Sequence, residues 1–206
     1  RNLTWFKNEL PYIIGEPPLT GGIVGVDLDR TLTIEPGARI EFGNSATLEV
    51  NGTLLAQGTA VEPIIFTAYP GGIVYGSQSP WKWIHFTPSS TNSKLDSVIV
   101  SDGGYSSSGS KGSIYIEGSL IEFKNSTSTN GAEAGIYLEN SSSTITDSYF
   151  GNQQFGMKIY GWDSFPQLGE GITFENNSIY DIYIDDVSWC GELPEYLAAS
   201  TNNNCP

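Results

Sequence analysis

One histidine, one methionine and two cysteines occur in this 206-residue chain, and basic residues number only 9 against 23 acidic. The single histidine, His85, limits any Ser-His-Asp or Cys-His arrangement to one position. The two cysteines, Cys190 and Cys205, lack the spacing of a metal knot and favour a disulfide. Such a bridge would close a loop of about 15 residues and contribute about 3 kcal/mol in the chain-entropy description. No apolar run approaches the length of a membrane span, and no segment sustains a helical period. The formal net charge of −14 disfavours nucleic acid and anionic membranes as partners, since both are negative themselves. Neutral glycans and cations remain compatible with it. No Gly-rich phosphate loop followed by Lys, HExxH or CxxC pattern is present.

What is present is turn chemistry and short alternation. Glycine occurs 24 times and hydrophobic residues make up 38% of the chain, enough for a core. In "TLTIEPGARIEFGNSATLEVNGTLLAQGT", Thr31 to Thr59, apolar residues alternate, stop at Pro-Gly or Asn-Gly, and alternate again. Segments of three to five alternating residues bounded by Gly, Pro and Asn are the strand signal. The second half repeats more visibly. "SLIEFKN", "STITDSYFGN" and "GITFENN" end at Asn125, Asn152 and Asn177, while "GIYLE", "GMKIY" and "DIYID" begin at Gly135, Gly156 and Asp181. A period in the twenties with three short strands is the size of one coil of a β-solenoid, in which stacked coils share one interior. Asn125, Asn152 and Asn177 either stack as an internal amide ladder or serve as ordinary turn residues.

The stretch from Thr31 through "EPIIFTA", with "STITDSYFGNQQFGMKI" later, resembles right-handed parallel β-helix domains of secreted and surface proteins, over about residues 20 to 186. That resemblance implies an all-β solenoid, here of about seven turns and near 35 Å long at about 4.8 Å per coil. It leaves function open, because lyases, hydrolases, adhesins and fibres share the scaffold. Lyases of this kind pair an acidic calcium cluster with a basic proton acceptor, whereas the basic residues here are scattered.

The ends differ from the middle. Residues 1–20 carry Trp5, Phe6, Tyr12, Ile13 and Ile14 before the joint "GEPPLTGG", and read as an arm that caps its own solenoid or is donated as a strand to a neighbouring subunit. Residues 21–186 read as the helix, and 187–206 as a cap with the short helical stretch "ELPEYLAAS". Within "PWKWIHF", alternation with Ile84 and Phe86 inward would put Trp81, Trp83 and His85 on one outer face, for sugar stacking, an interface or cover by a loop. The resemblance implies a structural tryptophan at Trp81 and makes Trp83 the departure. Asp27 and Asp29 face outward beside Arg30, as a solvated pair or as weak calcium ligands. Asn2, Asn51, Asn125, Asn140 and Asn176 match the glycosylation acceptor pattern.

These features lead to the expectation of a mature, extracellular, glycosylated structural protein. It would be a subunit of a surface fibre, layer or adhesin, self-associating through its ends and N-terminal strand, with no catalytic residue assigned. The alternative is a carbohydrate-binding module or polysaccharide-degrading enzyme of the β-helix type.

Overall fold

The structure is a computed structural model and describes residues 2–15, 21–70, 81–105, 109 and 111–205. Among them, successive strands wind into seven coils of three. The first coil is β1 (Leu3–Trp5), β2 (Tyr12–Ile14) and β3 (Ile23–Val26); the second is β4 (Thr31–Ile34), β5 (Arg39–Phe42) and β6 (Thr47–Val50). The third holds β7 (Thr53–Gln57), β8 (Ile64–Ala68) and β9 (Ile84–Phe86); the fourth, β10 (Ser93–Asp96), β11 (Val98–Ser101) and β12 (Gly112–Glu117). The fifth is β13 (Ile121–Lys124), β14 (Thr127–Thr129) and β15 (Ala134–Glu139), and the sixth β16 (Thr144–Thr146), β17 (Tyr149–Gly151) and β18 (Phe155–Tyr160). The seventh closes with β19 (Gln167–Leu168), β20 (Thr173–Glu175) and β21 (Tyr180–Ile184). Each strand pairs in parallel with the strand three places on, giving three seven-stranded sheets, A from β1, B from β2 and C from β3. The chain is a parallel β-solenoid.

Register explains why alternation was so regular. In sheet C, Leu48, Ile84, Ile114, Ile136, Met157 and Ile182 are successive partners, all with no exposed surface. A coil alone cannot bury these side chains; each is covered only by its neighbours above and below, which makes the interior one continuous core. Trp81 belongs to that core. It is fully buried, stacks on Phe42 at 4.1 Å and donates from Nε1 to the Ser101 carbonyl at 2.9 Å. Gly103 is small because a Cβ there would lie 2.6 Å from the Trp81 ring.

The corners are made by single residues in the left-handed region. After sheet A strands these are Ser97, Asn125 and Asp147; after sheet B strands, Asp102, Asn130, Asn152 and Asn176; after sheet C strands, Gly118, Asn140 and Gly161. Asn, Asp and Gly tolerate this conformation at the lowest cost, so they terminate the strands. The three asparagines singled out from the repeats therefore do not form one ladder. Asn125 lies at the A-to-B corner, Asn152 at the B-to-C corner, and the residue equivalent to Asn152 one coil on is Asn176. Asn177 turns inward instead, donating to the Phe150 carbonyl and to Asp181. The stacked interior polar residues are serines. Leu54 N–H donates to Ser93 Oγ, Val98 to Ser126, Ile121 to Ser143 and Ser126 to Ser148, each hydroxyl belonging to the next coil. They satisfy buried amides where the chain turns between sheets.

The segment expected to be an arm is the first coil. β1 pairs with β4 and β2 with β5 of the same chain, so the solenoid begins before residue 21. The C-terminal end is closed as expected. A 3-10 segment (Val187–Glu192) and α1 (Glu195–Ser200) bring buried Trp189, Leu193 and Leu197 onto the last coil. The Cys190–Cys205 disulfide then ties the tail back across a separation of 15 residues.

Candidate functional site

Two surfaces concentrate chemistry: the outer face of sheet C and the N-terminal tip. On sheet C, parallel register lines up outward side chains as Glu49, His85, Tyr115, Tyr137, Lys158 and Tyr183. The repeated Ile-Tyr-Ile-Glu at 114–117 and Ile-Tyr-Leu-Glu at 136–139 are the sign of this column in the sequence. The neighbouring column runs Glu117, Glu139 and Tyr160. His85 stacks on Tyr115 at 4.4 Å, and Tyr115 meets Trp83 and Tyr137 edge-on at 5.7 and 5.6 Å. Trp83 and His85 are thus brought together on this face, each half-buried. Trp81 is not, because it lies outside the strand and its ring enters the core instead of continuing the alternation that Trp83 still follows.

The charged groups here are bound to one another. His85 Nε2 lies 3.0 Å from Glu117. Glu139 accepts from Tyr115 at 2.7 Å and from Lys111 at 2.9 Å, and Glu133 accepts from Lys158 at 2.7 Å. Lys111 Nζ also sits 4.5 Å from the Tyr137 ring centroid, and Lys158 Nζ 4.6 Å from that of Phe155, positions that favour a cation over an aromatic face. Burial, reinforced by the Glu139 carboxylate, holds the Tyr115 and Tyr137 phenols well above their usual range. Burial alone would push Glu139 up, but the Tyr115 and Lys111 hydrogen bonds outweigh it and hold the carboxyl below its ordinary value. Sheet A shows the same pattern on a smaller scale. Lys124 and Lys94 both contact Glu122, and those hydrogen bonds hold its carboxyl low. Tyr115 and Tyr137 are almost wholly covered, so this face presents little open ring surface.

The N-terminal tip is the reverse: its groups are available. β1, β2 and β3 are the terminal strands of all three sheets, each with one edge unpaired among the described residues. Trp5 and Tyr12 lie in register with the interior residues Ile34 and Ile40 and stack on each other at 4.9 Å, a half-buried plug over the open interior. The Tyr12 hydroxyl accepts from the Phe6 amide and the Asn8 side chain, which fixes the plug. Ile14 is core. Phe6 and Ile13, with Leu3, Leu10 and Ile23, are exposed, Leu10 and Ile23 by 79% and 72%. A cavity of about 120 Å³ opens here between Leu3, Trp5, Val24, Val26 and Leu32.

The remaining sites expected from sequence are dispersed. Asn2, Asn125, Asn140 and Asn176 are exposed. Asn51 is half-buried, with its amide on Glu49 and its carbonyl oxygen on Thr87. Asp27 and Asp29 sit exposed on a turn closed by Arg30 N–H to the Asp27 carbonyl. Among the described residues no group of three or more His, Cys, Asp or Glu is placed to hold a metal. One further cluster is not marked by any repeat in the sequence: Tyr160, Trp162 and Phe165 protrude from a single corner, Trp162 by 82%. No helix among the described residues is long and apolar enough to cross a membrane. No protein-family model, curated protein or solved structure matches the chain.

Proposed function

We propose that this protein is an extracellular structural module. It is a rigid solenoid that carries N-linked glycans on its sides and joins a partner end-on through its N-terminal tip. The contrast between the two tips carries the reading. One has its interior sealed by buried Trp189, Leu193 and Leu197 under a disulfide and its β21 edge covered by the tail; the other, among the described residues, leaves three strand edges unpaired and a set of apolar side chains exposed. Open edges of this kind recruit another chain unless something covers them. The sides favour the same role, since on sheet C the carboxylates and lysines bond one another across coils and brace the rod. The test is concentration-dependent sedimentation of the intact chain beside Ile13→Lys/Ile23→Lys. Association or partner capture that survives both charges would contradict the reading, and its loss in the folded variant supports it.

A second reading, glycan binding, draws on the aromatic corner. Phe165 lines a cavity of about 370 Å³ with Gln167, Leu168, Trp189 and Glu192, and aromatic rings beside polar groups suit sugar faces. Titrating neutral oligosaccharides against the wild type and Phe165→Ala tests it; absence of binding to the wild type removes it.

A further inference from the structure

We infer that the partner at the N-terminal tip is a second copy of this chain, docked tip to tip across a two-fold axis. The inference rests on the tip being the joining surface proposed above. Charge selects the copy. The described residues of the first coil, 2–15 and 21–26, contain Lys7 against Glu9 and so carry no formal net charge, while the whole chain carries −14. Lys7 is already paired with Glu62, and the other exposed side chains of the tip include the uncharged Leu3, Phe6, Leu10, Ile13 and Ile23 beside the single carboxylate of Glu9. Two copies approaching by their sides would bring like charge together; by their first coils they would not.

Closure follows from the other end. A head-to-tail polymer would need the β21 edge of one copy free for the β3 edge of the next. That edge is occupied. Asn203 bridges to Ile182, and the Asn204 side chain accepts from the Ile184 amide at 2.7 Å and donates to its carbonyl at 2.8 Å. Asn202 exchanges further hydrogen bonds with Asp181. With the β21 edge occupied and the interior at that end covered by Trp189, Leu193 and Leu197, coil-on-coil stacking there is blocked, and the surface left for the tip to meet is another tip, an isologous contact that closes at two subunits. Strand direction permits it. Turning one solenoid over reverses the sense in which its strands circle the axis, so edges meeting at the tips run antiparallel, a pairing with straight hydrogen bonds. The stacked Trp5 and Tyr12 would lie near the centre of the contact, where buried aromatics contribute most to binding.

The experiment is sedimentation velocity on the full chain over a concentration series, with Ile13→Lys/Ile23→Lys, Ile13→Glu/Ile23→Glu and an equimolar mixture of the two. Both positions are exposed, so the fold tolerates the charges, and circular dichroism verifies it. The wild type should reach a limiting mass of two chains. Each charged variant alone should dissociate at least about 100-fold more readily, because a contact of this kind would bury uncompensated charge. The mixture should recover the dimer. A wild type that stays monomeric overturns the second copy as partner while leaving the tip free for a different protein. An open series of larger species abolished by the same charges overturns the two-fold arrangement alone. Self-association indifferent to both pairs of charges overturns the tip itself.

Discussion

Trp81 shows where residue-level reading reaches and where it stops. Alternation correctly sent Ile84 and Phe86 inward and His85 outward, because those three residues form β9. Carried back three positions from Ile84 it put Trp81 outside, but that residue precedes the strand and turns under the corner onto Phe42. Truncating it removes a fully buried indole, and Trp81→Ala should cost about 3–5 kcal/mol in denaturant unfolding. Titration behaviour follows from neighbours that only coil stacking supplies. Glu139 is held below its ordinary value of 4.5 by Tyr115 and Lys111, so its contribution to stability is complete above that value. It is lost as pH falls through the lower folded value; Glu139→Gln should flatten the acid limb of the stability profile. Tyr115 and Tyr137 shift the other way. The fold favours their protonated forms, a contribution present below their ordinary value of 10.0 and lost as pH rises beyond it. Their phenolate absorbance should therefore appear together with loss of the far-ultraviolet sheet signal. Among the acceptor asparagines, intact mass from a glycosylating host should show sugar at Asn125, Asn140 and Asn176, exposed on the sides, whereas Asn2 beside the joining tip, with its side-chain oxygen on the Thr31 amide, should not carry it. Asn51, whose amide and carbonyl are both engaged, should remain bare.

Elements were the most legible level. Three-to-five-residue alternation bounded by Gly, Pro and Asn is what a solenoid strand needs, and the "GIYLE", "GMKIY" and "DIYID" repeats fall on β15, β18 and β21 of one sheet. Which turn residues share a column was not legible, since coil lengths differ and three corners interleave along the chain. Nor was the serine stack, because a serine between strands looks the same whether it faces solvent or an interior amide. Its role is measurable. Ser143→Ala leaves the Ile121 amide without an acceptor and should cost about 1–3 kcal/mol in denaturant unfolding relative to the wild type. At the corners, Asn125→Gly should be near neutral and Asn125→Ala should lose about 1–2 kcal/mol, since alanine strains at φ 48°. Reducing Cys190–Cys205 should release the cap at a cost of about 3 kcal/mol, read as earlier hydrogen exchange in 187–205 than in the coils.

For the whole molecule, the charge imbalance noticed first becomes informative only beside the topology. A rod with a net charge of −14, whose described first-coil residues carry no formal net charge, would by the proposed arrangement repel its own kind along the sides and meet it at one end. Raising ionic strength from about 0.01 to about 0.15 M shortens the reach of that repulsion, so tip-to-tip association should tighten with salt. A contact held by ion pairs would weaken instead. The most direct measurement of the central claim, that this end is where the molecule joins its partner, is amide hydrogen exchange at low and high protein concentration. The account expects protection to rise with concentration in residues 3–5, 12–14 and 23–26, while sheet C from Ile84 to Ile184 stays unchanged. Protection that rises on the sheet C face, or nowhere along the chain, would contradict it.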